Sequence, residues 1–191
     1  MLELRFLGQF EILQNGTPVR LTSRPAQSLL AYLCLHPGKA FRREMLAGMM
    51  WPEASETSAR NNLRQALWRI RKSLEDGRSG HNDYLLTDDL SIAFNAEQPY
   101  WLDAEALAQP VEPDADAVQL AQIVAVYGGE LLPGFYDEWT VLERERLQAV
   151  FERRMGQLLE RLIADRDWVQ TAGWADRWIA LGNTRKPPTA P

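Results

Sequence analysis

Residues 58–74 read SARNNLRQALWRIRKSL, a stretch that suits little except a helix with two unlike faces. Ala59, Leu63, Ala66, Leu67, Ile70 and Leu74 follow one another at spacings of four, three, one, three and four, which places all six on one narrow stripe. Asn61, Gln65, Trp68 and Lys72 lie directly opposite, with Ser58 and Arg69 on one flank and Arg60, Arg64 and Arg71 on the other. The apolar stripe must face a core. The outward face consists of amides, guanidinium groups and one aromatic ring. Asn and Gln can pair with adenine edges, Arg with guanine edges, and Arg or Lys with phosphates, so the set suits a helix lying in a major groove. A solvated basic face is the alternative for a helix taken alone. Against it, the acid one turn away that a salt-bridged surface helix uses is missing within this stretch until Glu75 and Asp76. Trp68 sits on the wet side, where a thymine methyl, the sugar-phosphate backbone or a neighbouring domain are its candidate partners.

The basic segment belongs to a chain of 191 residues with a formal charge of -5. That figure hides two halves of opposite sign. Residues 1–78 hold 12 Lys and Arg against 7 Asp and Glu, a balance of +5, whereas residues 79–191 hold 9 against 19, a balance of -10. A basic module suited to a polyanion is thus joined to an acidic module with another task. With 46% hydrophobic residues the chain can bury one good core or two small ones. No run approaches the roughly 18 apolar residues of a membrane span, and MLELRFLGQF has charges where a signal peptide needs an apolar centre. A cytoplasmic protein without a membrane partner is expected.

Catalysis and metal chemistry find little support. Cys34 is the single cysteine and lies in LLAYLCL, where a buried small residue is expected rather than a reactive thiol. His36 and His81 are the only histidines, too few for a cysteine and histidine metal site, and no cofactor is expected. Gly128-Gly129 is followed by Glu130 rather than by Lys and Ser or Thr, so it does not form a phosphate-binding loop. The chain is not expected to be an enzyme.

Along the chain, LELRFLG, FEIL and PVRL predict a small antiparallel sheet, with Asn15-Gly16 as a hairpin turn. Ser23 and Pro25 open a helix that His36-Pro37-Gly38 stops. A shorter helix is expected from about Arg42 to Met50, closed by Trp51-Pro52, and PEASE links it to the basic helix, which is expected to span 58–76. After the loop RSGHND, the stretch YLLTDDLSIAF predicts a second hairpin about Asp88-Asp89. From Trp101 onward only helices are expected: Leu102 to Ala108, Ala115 to Tyr127, Asp137 to about Asp165, and Trp168 to Leu181. The domains are expected at 1–96 and 97–183, with residues 184–191 as a disordered tail.

Two helices joined by a short turn, the second one basic and followed by a hairpin, make a winged helix-turn-helix. In that arrangement Arg42 and Arg43 begin the positioning helix beside a phosphate, where the positive end of its dipole also helps.

LTSRPAQSLLAYLCLHPGKAFRREMLAGMMWP followed by ARNNLRQALWRIRKSL resembles the DNA-binding half of SARP-type (antibiotic regulatory protein) transcriptional activators, an OmpR-like winged helix. VYGGELLPGFYDEWTVLERERLQAVFERRMGQLLERL resembles the bacterial transcriptional activation domain (BTAD) that follows it in that family, built of tetratricopeptide-like helix pairs. The resemblance covers roughly residues 1–181. It implies an α+β winged helix-turn-helix domain followed by an all-α tetratricopeptide-like domain. It further implies double-stranded DNA as a partner, contacted by the helix from Ser58 to Asp76 at Arg64, Trp68, Arg69 and Arg71, with Thr87 nearby in the wing. Asn61, Gln65, Lys72, Arg42 and Arg43 complete the candidate DNA-binding set. The loop Trp51 to Thr57, with Pro52, Glu53 and Glu56, corresponds to the one that touches RNA polymerase in OmpR-like activators. Homodimers on direct repeats are implied as well. Trp168, Ala172, Ala175 and Trp178 read as one repeat whose neighbour is missing, so a longer regulator with further domains is expected. The alternative function is an interaction adaptor without DNA binding, whose interleaved Glu and Arg residues between 143 and 161 form a salt-bridged scaffold.

Overall fold

A computed structural model describes residues 1–74, 84–112 and 114–182. The loop at 78–83, the expected end of the basic helix at Asp76 and the tail at 184–191 lie outside the described residues.

The chain begins with β1 (Leu2–Arg5), β2 (Glu11–Gln14) and β3 (Thr17–Pro18). Asn15 and Gly16 between the last two have φ of 50° and 78°, the left-handed pair that a two-residue hairpin requires, and Asn and Gly are the residues that adopt it most readily. β2 and β3 accordingly pair antiparallel, with Leu13 opposite Pro18. Proline is tolerated there because β3 is at the edge of a sheet ordered β3-β2-β1-β7.

Three helices follow in the same unit. In α1 (Arg24–Cys34), Pro25 occupies the first turn and Ala26, Leu29, Leu30, Leu33 and Cys34 are buried. Burial pushes the Cys34 thiol well above its ordinary pKa, leaving it an unreactive core residue. β4 (Phe41–Arg42) leads into α2 (Arg43–Met50), so Arg42 does not begin a helix: it closes a strand and pairs with Ser91. α3 (Glu56–Leu74) begins two residues earlier than expected. The cause is Ser55, whose Oγ accepts from Ser58 N at 3.4 Å while its carbonyl accepts from Ala59 N at 2.8 Å. Its backbone groups at the helix start are thereby satisfied within PEASE. The six stripe residues are all buried, none more than 4% exposed. Burying each of the larger ones contributes about 1.5–3 kcal/mol.

The second hairpin, β5 (Leu85–Thr87) and β6 (Ser91–Phe94), pairs antiparallel with Leu85 opposite Phe94, and β6 also takes β4 as a neighbour. Beyond it the structure departs from the all-helical expectation. Tyr100–Leu102 form β7, parallel to β1, with Leu2 opposite Tyr100 and Leu4 opposite Leu102. Three residues carry no periodicity, and their partner lies at the other end of the chain. No local signal announces such a strand.

Two compact units result: Met1–Leu4 with Glu11–Leu102, and Arg5–Phe10 with the chain from Asp103 onward. A single division at 96/97 misses both the pairing that holds 100–102 in the first unit and the short segment 5–10 that belongs to the second. The second unit contains α4 (Asp103–Ala108), α5 (Ala117–Ala125), α6 (Glu138–Ala164) and α7 (Trp168–Gly182). α5 is fixed by a capping box in which Asp116 accepts from Gln119 N at 2.8 Å and the Gln119 side chain accepts from Asp116 N. Leu147, Phe151, Met155, Leu158 and Leu162 make the buried stripe of α6. α7 buries none of its residues, and Trp168 and Val169 are 62% and 82% exposed.

The segment 5–10 is anchored by a buried carboxylate. Asp103 Oδ2 accepts from Phe6 N at 2.7 Å and Leu7 N at 2.8 Å, and its Oδ1 accepts from Ala104 N at 2.7 Å. Burial pushes the Asp103 pKa up to about 6, against the lowering effect of these three donors. Gly8 then passes Gly128-Gly129 at backbone contact, where a Cβ on Gly8 would come within 2.7 Å of Gly128. The glycine pair thus serves a close crossing of two segments of the chain. Among the described residues no helix is long and apolar enough to cross a membrane.

Candidate nucleic-acid interface

The first unit has the order helix, turn, helix, hairpin, and it exposes one continuous polar surface along α3. Asn61, Arg64, Gln65, Trp68, Arg69, Arg71 and Lys72 are all exposed, as the helical spacing predicts. Trp68 is 58% exposed with the Lys72 Nζ 4.8 Å from its ring centroid, so the ammonium and the indole form one cation–π unit. Arg64 Nη2 donates to Asn61 Oδ1 at 3.1 Å, one turn back. Near the helix start Arg60 pairs with Glu56 at 2.5 Å. Glu56 is therefore not a loop residue: it lies in the first turn of α3, with its carboxylate directed along the helix. Trp51, Pro52 and Glu53 form the turn before it, with Trp51 half-buried and Pro52 and Glu53 exposed.

Two arginines of α3 have partners on other elements of the unit. Arg69 Nη1 donates to Ser23 Oγ at 2.8 Å, and Arg71 Nη2 donates to Thr87 Oγ1. Ser23 is the N-cap residue of α1, yet its side chain caps no helix N–H and instead accepts from Arg69. The bond from Arg71 ties α3 to the wing strand β5. Both partners are neutral hydroxyls, so each guanidinium is oriented without an acidic partner among the described residues. Neither bond was legible in the sequence, since helical spacing contains no information about what another element presents.

The wing is held in its own right. Asp88 Oδ1 accepts from Leu90 N at 2.7 Å and Ser91 N at 2.6 Å, and Oδ2 accepts from Ser91 Oγ at 2.8 Å. The Ser91 hydroxyl first, then the two backbone donors, hold the Asp88 carboxyl below the usual carboxylate range. Arg43, at the start of α2, donates from Nη1 to the Asp88 carbonyl at 3.2 Å, and its backbone N donates to Leu90 O at 3.0 Å. Arg43 thus braces the wing turn, while Arg42 is exposed beside it. An Asp followed three residues later by Ser is a recognisable turn signal, and Asp88 was accessible to sequence reasoning on that ground.

Residues 16–89 match the family described as "Transcriptional regulatory protein, C terminal". The likeness to this family is confined to residues of the first unit. The match runs from β3 through α1, α2 and α3 to the turn of the wing hairpin. The chain is also similar to a solved structure, Mycobacterium tuberculosis EmbR in complex with a low affinity phosphopeptide, with a TM-score of 0.71 and 18% identity. That similarity covers 94% of this chain and 48% of EmbR, so the chain spans about half the length of the solved protein it matches. It extends the likeness in fold beyond the winged helix into the helical unit. Among curated proteins none matches the chain.

Proposed function

We propose that the protein is a sequence-specific double-stranded-DNA-binding regulator, an activator, that places α3 in the major groove. The observation that carries the reading is the exposed face of α3, whose amides, guanidinium groups and indole are offered outward while Arg69 and Arg71 fix the helix to Ser23 and Thr87. The division of labour follows from the bonds. Asn61, Arg64, Gln65 and the Trp68–Lys72 pair are the base-reading set. Arg69 and Arg71 keep their charge for the phosphates flanking the groove, and Arg42 reaches the backbone from β4. The wing, with Thr87, lies along the neighbouring phosphates. The unit of Met1–Leu4 and Glu11–Leu102 acts as the DNA-binding domain, and the unit of Arg5–Phe10 with the chain from Asp103 onward as the helical domain that mediates self-association on direct repeats. The Trp51–Glu53 turn is the RNA polymerase contact, with its exposed carboxylate directed at a basic surface.

The test is a gel-shift titration on duplexes enriched by repeated selection from random sequence, repeated across a salt series. Specific binding is expected, weakening with a log–log slope of about -0.9 per phosphate neutralised. Failure to enrich any sequence at low salt sinks the reading in favour of an adaptor. An unchanged base preference in Trp68→Ala and Gln65→Ala would show that α3 does not read bases.

A further inference from the structure

The second unit contains a cleft that DNA binding does not use. It lies between α6 and the end of α7 and has a cavity volume of about 200 Å³. Its inner wall is aromatic: Tyr127 and Phe151, both buried, stack with ring centroids 3.9 Å apart and planes 13° from parallel. Trp178, half-buried, lines it from α7 together with Leu181. On α6, Val141, Glu145, Gln148 and Glu152 line it at spacings of four, three and four, one stripe of one helix.

Charge selects the occupant. Glu130, Glu145 and Glu152 are exposed carboxylates at this cleft, and Arg144 is its only cation among the described residues. Arg144 is already engaged, donating to the carbonyls of Leu131, Leu132 and Phe135 at 3.0 Å each, with Glu130 at 3.5 Å. An aromatic cleft with surplus negative charge attracts an organic cation, which gains from ring faces and carboxylates together. Val141 and Leu142 on α6 are exposed as well, at 42% and 64%, so apolar surface continues outward beside the carboxylates. A small amine has no use for that extension. A polypeptide has. We propose that this cleft docks a partner protein through an arginine or lysine side chain adjacent to a large apolar residue, the cation entering between the rings and Glu145 and Glu152.

Panning the full-length chain against a displayed library of random heptapeptides tests this. The expected winners contain Arg or Lys next to a large apolar residue, lose affinity as salt rises, and bind the double variant Glu145→Gln, Glu152→Gln roughly tenfold more weakly. If that variant loses its helical circular dichroism, Trp178→Leu replaces it, with a loss of the same order expected. Winners without a basic residue, or winners that keep full affinity for the cleft variants, overturn the proposal. So does arginine amide if it displaces the winners at concentrations equal to their own, since the cleft would then be a small-cation site. DNA affinity enters none of these readouts, so this proposal and the DNA-binding reading can fail separately.

Discussion

α3 and α6 are both long helices with an apolar stripe and several arginines, and they use those arginines in opposite ways. On α6, Arg146 pairs with Glu143 at 2.8 Å, Arg161 with Asp165 at 3.3 Å, and Arg144 is consumed by three carbonyls and Glu130. Arg154 donates to Gln109 O at 2.7 Å and to Gln157 Oε1 at 3.0 Å. Arg144 and Arg154 tie α6 to other segments of the unit, while the other two are neutralised by acids on the surface of the helix itself. On α3, after the Arg60–Glu56 pair in the first turns, the partners of the arginines among the described residues are hydroxyls and an amide. Neutral partners set direction without cancelling charge, and a helix so furnished remains available to a polyanion. What an arginine does is decided by the partner, more than by its place on the helix.

The strongest way to break this comparison is Arg144→Ala. It leaves three carbonyls without their charged donor and is expected to cost about 3 kcal/mol of stability, read as a lower thermal midpoint, with DNA affinity per folded molecule unchanged. Arg64→Ala is the converse. It is expected to leave the thermal midpoint in place and weaken specific DNA binding by about 1–3 kcal/mol, with relaxed base preference in a gel-shift series. If the two variants behave alike, the contrast between the helices is wrong. A smaller effect sharpens it: Ser23→Ala frees Arg69 to wander and is expected to weaken binding to all sequences by about 0.5–1 kcal/mol. Base preference should not move.

The smallest effect is seen in carboxyl titrations followed by NMR and compares the wing with the helical unit. Asp88 is expected to titrate below the ordinary carboxylate range, and Asp103 near pH 6. The signs are opposite. Between pH 6 and about 4 the folded chain takes up a proton at Asp103 before the unfolded chain does, so this group favours folding on acidification. Asp88 works against folding at lower pH, where its folded form must be protonated last. An Asp103 midpoint near 4 would mean that its three N–H donors outweigh its burial.

Much of α3 was legible because helical spacing alone sorts buried from exposed residues. Ala59, Leu63, Ala66, Leu67, Ile70 and Leu74 are buried as their positions require, and Trp68 is exposed as its position requires. Asn15-Gly16 was legible for the same local reason. What escaped is non-local. β7 depends on a parallel partner some 98 residues away in sequence, as Leu2 opposite Tyr100 measures it. The Arg69–Ser23 bond joins residues 46 apart. Ser55 is a local helix-start signal inside PEASE, and Glu56 accordingly lies in the first turn of α3 rather than in the loop expected at Trp51 to Thr57. Two arginines before an apolar run look alike in sequence, whereas the ladder to Ser91 puts Arg42 in a strand and leaves Arg43 to begin the helix.

The anchoring of residues 5–10 by Asp103 has a consequence for anyone dissecting this protein. A fragment that begins at α4 would keep every helix of the second unit and lose Phe6 and Leu7, together with the antiparallel bridge from Leu7 to Leu131 and the bond from Leu132 N to Phe6 O at 2.8 Å. The Asp103 carboxylate would then be left without two of its donors. One scissors cut cannot yield both pieces intact, and a helical fragment that misfolds would say more about the missing six residues than about the helices.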